Sequence, residues 1–343
     1  MHTDSCIRST QKTRFSSIPA SMTGREPELL IIDTDGGGDD AVAILLALSD
    51  KSVAKTLAIT CCFGNTSLDN VCSNILKLLH LCNEKQIPVH RGSKGPLLKS
   101  QVELNVFGTD GFGNVAHEFS TGSLEESDLP ASSALITLAR KYPGRIHLIA
   151  IGPLTNISIA HRIDPDFTKN LKSIFCMGGN YKCVGNISEV AEFNFYCDPE
   201  SAHIVLTEAQ CPVTLIPWET VPEFGITWDI YEELMAIQTT KAQFVKRINE
   251  FYVVRSKKKG NKRYCDCDFL AVASLLYPEC ISNSLDSAVA VECNGFYTRG
   301  MTILIRENHH SDKCGVSLRQ RKIRIITGFN EEVLNKLRFQ LLR

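Results

Sequence analysis

The sequence predicts an α/β fold, a single domain with a mostly parallel central sheet flanked by helices. Three observations point there. Apolar runs of strand length, such as Leu29-Leu30-Ile31-Ile32, lack the alternation of a half-buried strand and belong in a sheet covered on both faces. Segments with helical periodicity separate these runs, which is the order of strands joined by crossover helices. The acidic and glycine-rich motifs stand directly after the runs, and an open parallel sheet holds its ligand beyond the carboxyl ends of its strands.

Residues 1–27 are rich in Ser, Thr, Lys and Arg, and a disordered tail is expected there. A transit peptide is the alternative, because Asp4 and Glu26 are the segment's only acids, and Met22 offers a second start. Residues 28–343 are expected to form one domain. Its first strand, Leu29–Ile32, leads into a helix through Ala41–Leu48. Thr56–Cys62 reads as the next strand and Leu68–Leu81 as the next helix. Ile146–Ile151 reads as a strand and Leu154–Ala160 as a helix. Leu171–Cys176 and Val213–Pro217 are short apolar strands, and Phe269–Leu276 is a further helix.

Composition narrows the function. Of 343 residues, 43% are hydrophobic and 22% charged, which is globular. Lys+Arg 37 against Asp+Glu 38 gives a net charge of -1, so neither nucleic acid nor an anionic membrane is an expected partner. No apolar run reaches the ~18 residues of a spanning helix, and the N-terminus lacks the apolar stretch of a secretory signal. Apart from the adjacent Cys61-Cys62 and the pair Cys265 and Cys267, the 14 cysteines stand singly, largely in apolar segments, which reads as reduced thiols and a cytoplasmic location. Their spacing fits no structural zinc site.

The segment Asp33-Thr34-Asp35-Gly36-Gly37-Gly38-Asp39-Asp40-Ala41 follows the first strand. Helix capping accounts for one or two of its carboxylates. It does not account for all of them, because crowded carboxylates repel unless they share a cation. Oxygen-only ligands favour Ca²⁺ or Mg²⁺, and the glycines let the backbone fold closely around an ion. A dinucleotide loop is disfavoured, since Asp39 and Asp40 would face the pyrophosphate. An EF-hand fails because Ile44 occupies the position of the bidentate Glu. A haloacid-dehalogenase-like phosphatase, with Asp33 and Asp35 as its paired acids, is the competing enzyme reading.

Two further clusters carry polar groups. If Glu192–Tyr196 is extended, Glu192 and Asn194 share one side and Phe193 and Phe195 the other, which suits a polyhydroxylated ligand. Cys265-Asp266-Cys267-Asp268 opens the helix Phe269–Leu276, where Asp268 is either an N-cap or a ligand.

Together these segments resemble the inosine–uridine-preferring nucleoside hydrolase family from residue 29 to the end. Asp33–Ala41 is similar to the family's opening signature Asp-x-Asp-Pro-Gly-x-Asp-Asp-Ala, with Gly36 in place of Pro. The resemblance continues through Thr60–Asn65, Asp110-Gly111-Phe112-Gly113, Gly152-Pro153-Leu154-Thr155-Asn156 and Met177-Gly178-Gly179. It includes Ala191–Asn194, Asp198-Pro199-Glu200, Asp268 with Ala271-Val272-Ala273, and Thr298-Arg299-Gly300.

The resemblance implies a Ca²⁺-dependent N-ribohydrolase of nucleoside salvage or catabolism, acting as a homodimer or homotetramer on a small-molecule ribonucleoside. Asp35, Asp40, Asp268 and the backbone carbonyl of Ile151 would ligate the ion. Asp39 matches the general base, which takes a proton from a water on the ion. Asn65, Asn186, Glu192 and Asn194 match ribose-binding positions, Asp33 a nearby ribose-side acid, and Met177 lies in a matching segment. Phe107 and Cys267 stand where the family often has His, on the side of the base, as in animal homologues. That leaves the leaving-group acid unassigned, with stacking on Phe107 or Trp218 and a reach from His117 as possibilities. Arg255–Lys262 reads as a solvated basic loop in the region that closes over the substrate, with Tyr252 and Tyr264 as lid contacts. The non-enzyme alternative is a nucleoside- or ribose-binding protein with little turnover.

Overall fold

The computed structural model describes residues 26–98, 105–305 and 321–343, so the tail expected over 1–27 lies almost wholly outside the described residues. The first half of the domain alternates as expected. It runs β1 (Glu28–Thr34), α1 (Gly38–Ser49), β2 (Ala54–Cys61), α2 (Leu68–Leu81), β3 (Val89–Arg91), α3 (Ala131–Lys141), β4 (Ile146–Ala150), α4 (Thr155–Ile163) and β5 (Leu171–Met177). There follow α5 (Phe193–Cys197), α6 (Pro199–Glu208), β6 (Val213–Ile216), α7 (Thr220–Phe224), β7 (Ile226–Thr227), α8 (Trp228–Met235) and α9 (Thr240–Lys258). The chain ends through β8 (Arg263–Tyr264), α10 (Cys267–Leu276), β9 (Ile281–Val291), β10 (Thr302–Ile305), β11 (Ile323–Phe329) and α11 (Glu331–Leu342).

The main sheet has the order β10-β9-β11-β6-β5-β4-β1-β2-β3, while β7 and β8 pair separately. From β3 to β11 all neighbours are parallel, and β9 and β10 close one edge antiparallel. β1 lies between β2 and β4, so the chain winds outward from it in both directions. A ligand crevice belongs at that reversal, beyond the carboxyl ends of β1 and β4. The Ile151 N–H donates to the Asp33 carbonyl at 2.8 Å, which ties the two strand ends together there.

Two apolar helices complete the frame. Every residue of α1 from Gly38 to Ala47 is buried, as are Asp268–Ser274 of α10, and the two helices pack on each other. An all-round apolar helix needs cover on every side. Burial therefore fixes the first turns of both helices, and those turns carry Asp39, Asp40 and Asp268.

Of the basic segment expected as a loop, Arg255–Lys262, the first half is helical and the second half is turn and loop. α9 runs on through Lys258, and the chain turns at Gly260 with φ +77°. No Gly or Pro interrupts the helix earlier, and cations are favoured in a last turn. The sequence reading also left out the antiparallel edge. β9 exposes much of its length and lacks the apolar run that marks the central strands.

Candidate active site

The acidic loop is built by backbone hydrogen bonds. The Asp40 Oδ2 accepts from the Gly37 N–H at 2.8 Å, and its Oδ1 accepts from the Asp35 N–H at 3.2 Å and from the Thr34 hydroxyl. Asp40 thus does cap the helix, as one of the loop's carboxylates was expected to. Asp35 is held differently. Its Oδ2 accepts from the Asn65 N–H at 2.8 Å and its Oδ1 from Asn65 Nδ2 at 3.1 Å. A side chain on Gly64 would stand 2.0 Å from the Asp35 carboxylate, so only glycine lets this segment pass.

Asp268 is not the N-cap of its helix. α10 begins one residue earlier, at Cys267, after Asp266. The Asp266 carboxylate is taken by Arg338 of α11, with both oxygens 2.9 Å from guanidinium nitrogens and both side chains buried. A buried, two-point ion pair is geometrically specific. It fixes the turn that aims Asp268 at Asp39 and Asp40.

The expectation of an extended Glu192–Tyr196 is corrected. Glu192 is the N-cap of the short helix α5, and Asn194 lies in its first turn. The Glu192 Oε1 accepts from the Asn194 N–H at 2.9 Å, and its Oε2 from the Phe195 N–H at 3.2 Å and the Gly179 N–H at 2.9 Å. Asn194 Nδ2 donates to the Met177 carbonyl at 3.1 Å and to the Ile151 carbonyl at 3.4 Å. An N-cap acid satisfies free amide groups at a helix start, and here that gain overrides the alternating pattern.

These groups open into a cavity of about 290 Å³. Asp39, Asp268, Ile151, Met177, Glu192 and Asn194 line it, with Asn65 and Asn186. Phe107, Tyr252, Trp218, Cys265 and Cys267 line the rest, with Arg255 and Lys259. Phe107 and Tyr252 lie with ring centroids 4.9 Å apart at 35°. The Cys267 thiol bonds to the Asp39 carboxylate.

Burial dominates the electrostatics. Oxygens of Asp39, Asp40 and Asp268 lie within 4.8 Å of one another, and the three residues are at most 5% exposed. Burial, and then their neighbours' charges, push Asp35, Asp39 and Asp268 well above the usual carboxylate range. Burial likewise raises Glu192 to about 7, against the pull of its backbone donors, and Asp33 to about 6. Such a cluster is unfavourable when ionised and bare, and an oxygen-only donor set fits a hard cation.

The comparisons identify the frame. Residues 30–336 match the model of the inosine-uridine preferring nucleoside hydrolase family. The chain belongs to that family. It is 33% identical over 282 residues to the inosine-uridine preferring nucleoside hydrolase of Leishmania major, covering 81% of this chain and 88% of the relative. The Crithidia fasciculata enzyme of the same name is 31% identical over 300 residues, covering 84% and 91%. Among solved structures, an inosine-guanosine nucleoside hydrolase aligns with a TM-score of 0.82 at 31% identity, covering 92% of this chain and 98% of its own. A plant nucleoside hydrolase aligns at 0.85 with 26% identity, covering 92% and 99%.

In this nucleoside hydrolase the expected site residues fall into two groups. Asp39, Asn65, Phe107, Ile151, Met177, Asn186, Glu192, Asn194, Cys267 and Asp268 line the cavity. Asp35 and Asp40 stand behind them, buried and linked through Asn65 Nδ2. Asp33 lies beneath, its Oδ2 accepting from Thr60 Oγ1 at 2.5 Å and Asn156 Nδ2 at 2.8 Å, and it does not line the cavity. The closest mutual set is Asp39, Asp40 and Asp268, so the general base of the expectation stands among its metal ligands.

Other expectations separate. Tyr252 lines the cavity, whereas Tyr264 is buried, stacks on Tyr231 at 4.9 Å and donates its hydroxyl to Asn249 Oδ1 at 2.9 Å. His117 is exposed, and among the described residues no histidine lines the cavity. Several resembling motifs are architectural. Asp110 accepts the N–H groups of Phe112, Asn114 and Ala116, each at 2.8 Å, and Asp198 caps α6. Arg255, Ser256, Lys259 and Asn261 are cavity residues that the sequence reading assigned to a solvated loop.

Proposed function

We propose that the cavity hydrolyses the N-glycosidic bond of ribonucleosides to free base and ribose, with Asp39 as general base and Ca²⁺ as the ion. The observation that carries this reading is the buried cluster of Asp39, Asp40 and Asp268 beside Glu192 and Asn194, at the strand ends where the sheet reverses. Asp35, Asp40, Asp268 and the Ile151 carbonyl would hold the ion. Bound there, Ca²⁺ supplies Lewis acidity, which lowers the pKa of water and neutralises the carboxylates.

The chain's own groups do the rest. Asp39 accepts a proton from the attacking water. Glu192, Asn194, Asn65 and Asn186 hold ribose hydroxyls, and their fixed geometry positions C1′ against that water. Bond cleavage builds oxocarbenium character on the sugar, and the carboxylate and carbonyl oxygens around the ring stabilise it. Phe107, Tyr252 and Trp218 offer aromatic faces to a planar base.

A panel of nucleosides, assayed for free base and free ribose beside phosphate from nucleotides, tests the reading. Release of base and ribose in equal amounts is expected. Phosphate release would favour a phosphatase, and binding without turnover a ribose-binding protein.

A further inference from the structure

Arg255 lies in the last turn of α9 and Lys259, one turn on, is the residue that caps it, its N–H donating to the Arg255 carbonyl at 3.0 Å; both line the cavity. The preference of a helix C-terminus for cations explains basic residues there; it does not explain two of them on the side facing the site. Their neighbour Lys257 is engaged, 3.1 Å from Glu232 and over the Trp228 ring. Arg255 donates through Nη1 to the Asn105 carbonyl at 3.1 Å, and neither it nor Lys259 has a carboxylate partner among the described residues.

That hydrogen bond locates the charge. Asn105 is two residues before Phe107, and Arg255 is three after Tyr252, so the guanidinium stands beside the Phe107–Tyr252 pair. Neither cation hydrogen-bonds or pairs with Asp39, Glu192 or Asp268 among the described residues, although all of them line the same cavity. The two cations therefore go with the aromatic rings that suit a base. Arg255 is half-buried and Lys259 exposed, so they form a cationic rim, which binds an anion more tightly than a neutral group of the same shape.

We propose that Arg255 and Lys259 select ribonucleosides whose base carries negative charge before cleavage, an acidic purine or pyrimidine. This rests on the hydrolase reading above. In the step itself a water oxygen bonds to C1′ as the C1′–N bond breaks. The electron pair stays with the base, the water's proton passes to Asp39, and the base departs with a second negative charge beside its original one, the two being offset by the two cations. The departing base takes a proton later from solvent.

Xanthosine is the probe, because its base is ionised at neutral pH and largely neutral in mildly acidic buffer, and inosine is the neutral comparator of similar shape. The full-length protein, Arg255→Gln, Arg255→Lys and Lys259→Gln are assayed on both. The ratio of kcat/KM for xanthosine to that for inosine is taken at each pH, so that titration of the enzyme cancels. We expect a ratio of at least about 10 at neutral pH, carried mainly by KM, falling toward 1 in acidic buffer. Arg255→Gln should lower the neutral ratio about tenfold and Lys259→Gln a few-fold, with Arg255→Lys between them. A ratio near 1 at neutral pH, or equal losses on both substrates, overturns the proposal. A preference for nucleoside 5′-monophosphates over xanthosine overturns it too, by moving the charge to the ribose end. If p-nitrophenyl riboside is not cleaved either, the hydrolase reading itself has failed.

Discussion

Two sets of groups make the site. In the first, Asp39, Asp40 and Asp268 stand on the first turns of two buried helices, and Glu192 caps a third. In the second, Phe107 comes from a loop, Tyr252 and Arg255 from the last turns of α9, and Lys259 from the residue that caps it. The first set is held by backbone donors and by core packing, as in the three N–H groups on Glu192. The second is held by ring contacts and by the hydrogen bond from Arg255 to the Asn105 carbonyl. Geometry set by the sheet reversal and helix burial changes little without unfolding the domain. Geometry set by the face of one helix can change by substitution. On the proposed function, the first set is the fixed end, which serves the sugar, and the second the adaptable end, which serves the base.

The largest effect should fall at the fixed end. Asp39→Asn keeps size and most hydrogen bonding but cannot accept a proton from water. Turnover should drop at least about a hundredfold, with nucleoside still bound. Because the water is common to every substrate, nitrophenyl riboside should lose as much as inosine. A loss confined to natural nucleosides would move Asp39 to the base end and break the division.

The ion should come next. Freshly purified protein is expected to hold one Ca²⁺ per chain by metal analysis, and chelation should lower Tm by about 5 °C. The pH dependence has a definite sign. Burial and mutual repulsion raise Asp35, Asp39 and Asp268 in the folded chain. In chelated protein these groups favour folding when protonated, and that stability is lost as pH rises above the unfolded carboxylate range toward their raised values. A cation reverses the balance by stabilising the ionised forms. The Ca²⁺-dependent gain in Tm should therefore be larger at neutral pH than in mildly acidic buffer. An equal gain at both, measured by calorimetry, would detach the ion from these carboxylates.

The two ends also differed in how far the sequence revealed them. The acidic loop was legible because four carboxylates between Asp33 and Asp40 have no stable arrangement that capping alone explains. The parallel strands were legible because residues buried on both faces are continuously apolar. Glu192 and Asn194 were found as a pair but given the wrong backbone. Phe193 and Phe195 imitate strand alternation, and the helix arises from the capping bonds that Glu192 makes on folding. Arg255 and Lys259 were hidden in a basic run, since charge runs usually face solvent, and only the path of α9 turns two of them toward the cavity.

The adaptable end can be sharpened through its missing acid. Among the described residues no histidine lines the cavity, and Phe107 and Cys267 occupy the wall beside Tyr252. A thiol is a weak hydrogen-bond donor, and burial pushes the Cys267 thiol well above its ordinary range, so it holds its proton. A purine or pyrimidine that must be protonated to leave therefore lacks help, whereas nitrophenolate leaves without a proton. Turnover of nitrophenyl riboside should exceed that of inosine and uridine, and comparable rates would mean that an efficient acid exists. Cys267→His places an imidazole at the start of α10, facing the same space. Its pKa near 6.5 lies close to the working pH, where general acids are most effective. General-acid catalysis is worth about a hundredfold or more when geometry is ideal. A side chain grafted into an unadapted wall should recover less, about tenfold on inosine, with nitrophenyl riboside nearly unchanged. A gain shared by both substrates would show that the variant acts on the sugar or the water, and the two ends would then not be separable.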